Sequence, residues 1–364
     1  MSVPENRELQ IAYYGDKITA GQISAIYDAG LALNRPAYPV FGIECMAEPA
    51  LQVKHADGNL SLDLVITDVS TENTPDAHFT RITMQDKVYP FNVKLVYKAD
   101  TRSDIIETWS EISHREKKPV VLQQFASAYL PVRKGDVWIS HLHGSWANEG
   151  RVTAEPLLPG MKVIKNKDGI RNSHTDHAEV MISLDGKPQE NQGRVIGAAL
   201  CWGGNFRLRF DTDDSSLHHF FAGINEDASE YALAPREVFV TPELALTYSR
   251  EGLGGASRSF HRWARREKIH QGTTSRDILL NSWEGVYFDI NEQGMEQMMA
   301  SIADMGGELF VMDDGWFGDK YPRKNDTTSL GDWAVDKNKL PHGIAGLINA
   351  AKKNRIKFGI WVRR

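Results

Sequence analysis

From Ile11 to Tyr248 the chain is a succession of short runs that alternate apolar with polar residues, and this period of two limits what it can fold into. Leu60-Ser-Leu-Asp-Leu-Val-Ile-Thr67, Phe91-Asn-Val-Lys-Leu-Val-Tyr97 and Val120-Val-Leu-Gln-Gln-Phe125 are examples. Such runs have one wet and one dry face, so they must pair into antiparallel sheets that bury the dry face against each other. The expectation over residues 1–250 is an antiparallel β-sandwich, with Ala56-Asp-Gly-Asn59 as one of its hairpin turns.

The period changes after Glu251-Gly-Leu-Gly-Gly255, where two glycine pairs can end a sheet and open a helix. Ser257 to Lys268 is basic, with Phe260 and Trp263 three residues apart. Arginines interleaved with aromatics suit nucleic acid, but the chain has 48 acidic against 42 basic residues and a net charge of −6. The reading adopted is an amphipathic linker helix over 251–276 with a solvated basic face, and neither nucleic acid nor an anionic membrane is expected as a partner.

Residues 277–364 then repeat a third pattern. Ile278-Leu-Leu-Asn-Ser282, Glu308-Leu-Phe-Val-Met312 and Lys357-Phe-Gly-Ile-Trp-Val362 are buried-strand runs. Between them, Met295, Met298, Met299, Ile302 and Ala303 mark one helix face, closed by Gly306-Gly307, and Ile344, Leu347, Ile348 and Ala351 mark another. The order β-α-β-α-β implies parallel strands joined by right-handed crossovers.

In such a unit the functional groups collect at the carboxyl ends of the strands. These ends are Asn281-Ser-Trp283-Glu284, Met312-Asp313-Asp314-Gly315-Trp316 and Gly359-Ile360-Trp361. Adjacent aspartates need hydrogen-bond donors or cations if they are to be buried as charges. A sugar supplies neighbouring hydroxyls, and the apolar face of a pyranose packs on an indole, so Asp313, Asp314, Trp283 and Trp361 form a candidate monosaccharide pocket. A divalent cation on the Asp pair, or a purely structural pair, are the competing readings; no further ligand at suitable spacing supports a metal. The long connection from Gly315 to Pro341 is rich in Asp, Asn, Thr and Gly, and Trp316 and Trp333 within it are further candidates to line the pocket. Trp333 equally suits packing the loop onto its scaffold.

His141-Leu-His143, His174-Thr-Asp-His177 and His218-His219 lack a third ligand and read as ordinary surface or partly buried histidines. Neither a metal nor a cofactor is expected. Cys45 and Cys201 are too few for a disulfide framework, Met1-Ser-Val-Pro-Glu5 does not open a leader pattern, and no apolar run reaches the ~20 residues of a membrane span. The expected compartment is the cytoplasm.

These residues resemble the bacterial α-galactosidases of glycoside hydrolase family 36, the melibiase or raffinase type. The stretches that carry the likeness are Glu48-Pro-Ala-Leu-Gln-Val-Lys-His-Ala-Asp57, Gly252-Leu-Gly-Gly255, Asn281-Ser-Trp-Glu284, Leu309-Phe-Val-Met-Asp-Asp-Gly-Trp-Phe-Gly318, Ser329-Leu-Gly-Asp-Trp333 and Lys357-Phe-Gly-Ile-Trp361. The resemblance implies an N-terminal β-supersandwich followed by the start of a (β/α)8 TIM barrel, here about three strands and two helices. It implies that Asp313 and Asp314 bind the galactose hydroxyls at C4 and C6, while Trp283 and Trp361 wall the subsite. The implied activity is retaining hydrolysis of terminal α-1,6-galactosyl residues of melibiose, raffinose and stachyose. A raffinose-synthase-like transferase and a non-catalytic galactoside-binding or assembly module are the alternatives.

The family nucleophile is the Asp of a Lys-Trp-Asp or Lys-Tyr-Asp triplet near the fourth barrel strand, and the acid/base is a later Asp. No such triplet occurs among the 364 residues, and Asp277 to Arg364 is roughly a third of the ~250 residues of a complete barrel. The chain is therefore expected to end inside the barrel, to lack both catalytic carboxylates and to be inactive alone. Its barrel portion is expected to expose a strand edge and apolar surface. The resemblance also implies a homotetramer for full-length members, with Val40-Phe-Gly-Ile-Glu-Cys-Met-Ala-Glu-Pro49 as the loop that would reach a neighbouring subunit.

Overall fold

The strand Ile105–His114 shows how the alternation becomes architecture: Ser110, Ile112 and His114 are buried while Trp109, Glu111 and Ser113 between them are half-exposed. In the computed structural model, which describes residues 8–30, 32–42, 48–166, 168–169, 175–212 and 217–362, this strand lies in the larger of two antiparallel sheets. The chain divides into two compact units, Met1–His270 and Gln271–Arg364.

In the first unit the larger sheet has ten strands among the described residues. It runs from Arg151–Pro156 through Asp176–Ser183 and Leu244–Ser249 to Ile105–His114, then by consecutive meander pairs to Leu64–Asn73 at the far edge. The smaller sheet has six strands built around Val120–Arg133, whose length lets it pair with Leu217–Ile224, Tyr231–Leu233 and Leu51–Lys54. The inner faces form two apolar clusters. One includes Phe91, Val93, Ile112 and Leu122, the other Ile139, Ile182, Phe206 and Phe210. This is the sandwich that the period of two demands.

Two local expectations meet a different outcome. Ala56–Asn59 is a tight turn, closed by the His55 N–H donating to the Asn59 carbonyl at 2.8 Å with Gly58 at φ +93°. It does not join two strands of one ladder, because Leu51–Lys54 pairs with Val120–Arg133 instead. The basic helix Gly252–Trp263, continued by a π-helical turn Ala264–Lys268, is not a solvated linker: it docks on the sandwich. Trp263 packs with Ile105 and Ala245, and Gly197 leaves the space that Phe260 fills, since a Cβ there would stand 2.6 Å from its ring. Arg266 pairs with Asp100 and Lys268 with Glu107 and Glu243, so carboxylates of the sheet neutralise the basic face.

The second unit is the start of a barrel. Leu279–Asn281, Leu309–Met312 and Lys357–Ile360 are parallel, with Leu309–Met312 in the centre, in the register Leu279↔Leu309 and Leu309↔Lys357. Helix Glu292–Asp304 begins where the Asn291 side chain accepts the Gly294 N–H at 2.8 Å, and it ends ahead of Gly306 at φ +89°. Its Met295 and Met299, with Leu347 and Ala351 of helix Gly343–Lys353, cover Phe310 and Met312 of the central strand. Ile348 stands 38% exposed rather than in the core. Ile278 and Leu279, where the first strand begins, are 61% and 51% exposed.

Candidate functional site

The carboxyl ends of the first two parallel strands are tied together by the side chain of Asn281. Its amide oxygen accepts the Trp283 N–H at 2.7 Å, and its NH2 donates to Asp313 Oδ2 at 2.6 Å. The Asp313 N–H donates to the Ser282 hydroxyl at 2.9 Å, and Asp313 Oδ1 accepts the Asp314 N–H at 2.7 Å. Asp313 is half-buried, and no cation pairs with it among the described residues. A carboxylate has roughly four lone-pair sites. Two are engaged here, which leaves capacity for hydroxyl donors.

Asp314 is in a different state. It is 6% exposed, and Arg323 grips it in a two-pronged pair, Nε to Oδ1 at 2.9 Å and Nη2 to Oδ2 at 2.8 Å. The two neighbouring aspartates thus meet the cost of burial separately, one with a side-chain amide and one backbone N–H, the other with a guanidinium. Arg323 is itself fixed: its Nη1 donates to the Thr328 carbonyl at 2.6 Å, and its guanidinium carbon lies 5.2 Å from the centre of the Phe288 ring.

Trp283 meets Tyr287 and Phe288 edge-on, with ring centres 5.3 and 4.9 Å apart. The other three indoles form a second group. Trp333 lies 6.1 Å from Trp316 and 6.0 Å from Trp361, with Phe317 at 4.6 Å, and the Trp316 N–H donates to the Trp361 carbonyl at 3.0 Å. Trp316 is buried, whereas Trp283, Trp333 and Trp361 are half-buried. Trp333 therefore packs its loop against Trp316, Phe317 and Trp361.

The connection after Gly315 is pinned rather than loose. Asp336 N–H donates to the Trp316 carbonyl at 3.1 Å and Gly318 N–H to the Ala334 carbonyl at 2.8 Å. Lys339 Nζ donates to the carbonyls of Phe288, Gly315 and Arg323 at 2.9, 2.6 and 3.0 Å. Burial pushes its ammonium below the ordinary lysine value, against the pull of Asp336, Asp289 and Asp314. Gly315, at φ +107°, has no room for a side chain, since a Cβ would sit 2.9 Å from Phe288 Cα. Arg323, Lys339 and the bridging role of Asn281 were not singled out from sequence. The only signal was the general need of paired aspartates for donors, and nothing local told which residues of a long loop would supply them.

The histidine pairs do not converge. His141 meets Glu155 at 3.4 Å, His143 meets Asp176 at 3.0 Å, and His218 and His219 bond to Thr212 and Tyr129. Among the described residues no three metal-ligating side chains gather. His174 lies outside the described residues, as do Cys45 and the other residues 43–47 of the inter-subunit loop candidate. No helix of the described residues is long and apolar enough to cross a membrane.

The carboxylates of Asp313 and Asp314 and the indoles of Trp283 and Trp361 thus stand at the carboxyl ends of three parallel strands. Residues 7–234 match the glycosyl hydrolase family 36 N-terminal domain and residues 238–364 match melibiase. The chain belongs to glycosyl hydrolase family 36. It is 31% identical to α-galactosidase AgaA of Geobacillus stearothermophilus over 345 residues, 89% of this chain and 46% of that protein. It is 32% identical to α-galactosidase Mel36A of Lactobacillus acidophilus over 294 residues, 80% of this chain and 39% of that one. A crystal structure of an AgaA variant in complex with raffinose superposes with a TM-score of 0.89 at 27% identity, covering 100% of this chain and 55% of that one. The chain spans about half the length of these relatives.

Proposed function

We propose that these residues form the sandwich and the sugar-gripping part of the barrel of a retaining α-galactosidase that acts on terminal α-1,6-galactosyl residues of melibiose- and raffinose-type oligosaccharides. The observation that carries this is Asp313: a half-buried carboxylate without a cation, oriented by Asn281 and Ser282 next to the half-buried indole of Trp283. A galactose ring would lay its apolar face on an indole and donate hydroxyls to the free lone pairs of Asp313, with the remaining acceptor capacity of Asp314 beside it. Trp283 and Trp361 wall the subsite, and Trp316 and Trp333 back it. Variants of AgaA have been crystallised with raffinose and with stachyose, which supports an α-galactoside as the ligand.

Retaining hydrolysis needs a carboxylate nucleophile and a carboxylic acid about 5 Å apart. The 364 residues contain no Lys-Trp-Asp or Lys-Tyr-Asp triplet to supply the nucleophile, so in this reading they bind the sugar and do not break its bond. The same reading places the protein in the cytoplasm and its full-length form in a homotetramer. Calorimetric titration with galactose, run beside hydrolysis of p-nitrophenyl α-galactoside, tests it. Saturable binding that is lost in Asp313→Ala, without turnover, is expected. Turnover by the 364 residues alone would overturn the claim of inactivity, and a folded chain that ignores galactose would overturn the assignment of the pocket.

A further inference from the structure

The sandwich core is not continuous. Between its two apolar clusters lies a half-open pocket of about 520 Å3, bounded by the larger sheet, the strand Val120–Arg133 and the segments around Ile11 and Tyr38. An apolar cavity of roughly 150 Å3 already accepts a small aromatic guest. This one falls in the ~300–1,000 Å3 range of sites for small organic molecules.

Its walls are ordered and uncharged. On the larger sheet Thr80, Tyr97 and Thr108 stand opposite one another across three strands, and Ile82 faces Leu95 in the next row. Tyr38, Tyr129 and Leu130 contribute from the other side, and among the described residues no Asp, Glu, Lys or Arg lines the space. Burial holds the phenols of Tyr14, Tyr38 and Tyr97 well above their ordinary values, which marks the surroundings as weakly solvated.

A second, independent feature lies on the smaller sheet. The pairing of Val120–Arg133 with Leu217–Ile224 slips between Ala222↔Ala128 and Gly223↔Ala126, so Ser127 is an extra, bulged residue. Opposite it Gly223 lies close against the partner strand, where a Cβ would stand 3.0 Å from Ala126 Cα. Ser127 is 1% exposed, lines the cavity, and its hydroxyl has no hydrogen-bond partner among the described residues. A buried unpaired hydroxyl costs stability, and a bulge re-aims a side chain. Both make sense if something in the cavity bonds to it.

We propose that the cavity is a binding site, distinct from the barrel mouth, for an uncharged and mainly apolar small molecule that makes one hydrogen bond to Ser127. The mouth lies beside Val69 and His78, both exposed, so the polar end of an amphiphile would emerge there.

N-phenyl-1-naphthylamine, an uncharged fluorophore with one N–H, is the probe. Titrated into the full chain, it should brighten saturably at one molecule per chain, and saturating galactose should not displace it. Ser127→Ala removes the bond without removing volume and should weaken binding roughly three- to tenfold while leaving the melting temperature unchanged or higher. Thr80→Trp, at a half-exposed position, should fill the space and abolish the signal with the circular dichroism spectrum intact. No saturable signal from the folded chain, displacement by galactose, or equal binding by both variants would each overturn the proposal.

Discussion

Asp314 and Arg323, nine residues apart, form a buried ion pair in which both guanidinium prongs meet both carboxylate oxygens, at 2.9 and 2.8 Å. The pair joins the end of the central strand to the middle of the long loop, so one contact orients a candidate sugar-binding carboxylate and anchors the loop above it.

Removing one partner leaves the other as an uncompensated buried charge. Arg323→Ala is expected to destabilise the second unit by about 3–5 kcal/mol. Arg323→Lys keeps the charge but not the fork, and should cost about 1–3 kcal/mol. Urea unfolding followed by tryptophan fluorescence reads both. Equal midpoints for Arg323→Lys and the unaltered chain would show that the fork contributes nothing.

Lys339 holds three carbonyls that otherwise lack those donors. Lys339→Met keeps the stem and removes the donors. Limited proteolysis should then cut between Gly315 and Pro341 several-fold faster, with the sandwich fragment unaffected. Unchanged cutting would mean the aromatic packing of Trp333 alone keeps the loop down.

The exposed Ile278 and Leu279 sit at a strand that, among the described residues, pairs on one side only. Open apolar edges recruit other strands. Leu279→Lys should reduce self-association of the purified 364 residues in size-exclusion chromatography across a concentration series. The same elution profile for both proteins would point to another surface.

Glu107 is fully buried between Lys98 and Lys268, at 2.6 and 2.7 Å. Burial acts to raise its pKa, but the two ammonium groups outweigh it and hold the carboxyl below its usual value. A carboxyl whose folded pKa is depressed stabilises the fold above its unfolded value, ~4.3, and loses that contribution as pH falls through the lower folded value. The melting temperature of the sandwich should therefore drop on acidification below about pH 4.3. Glu107→Gln should melt lower at neutral pH and depend less on pH in that acid range. Parallel curves for the two proteins would remove Glu107 as the cause.

Much of this molecule is written locally. Alternation at a spacing of two predicts strands with one wet face, and the methionines at 295, 298 and 299 predict a helix face, because each depends only on neighbours along the chain. Parallel strands put functional groups at their carboxyl ends, which is why the sequence offers Asp313, Asp314, Trp283 and Trp361 as candidates. The basic segment after Glu251 shows the limit. Its charge pattern suits a solvated face equally well, and only the carboxylates of Asp100, Glu107 and Glu243, brought up from distant strands, decide that it docks.

The sequence by itself determined the two fold types, the order of the elements and which strand ends carry carboxylates and indoles. Tertiary structure alone decided that Asp313 keeps free acceptors while Asp314 is held by Arg323, and that a bulge at Ser127 faces a cavity inside the sandwich. The physical reason is one of range: secondary structure follows from periodicity within a few residues, whereas the partner of a buried charge and the shape of a void depend on which distant side chains the fold brings together.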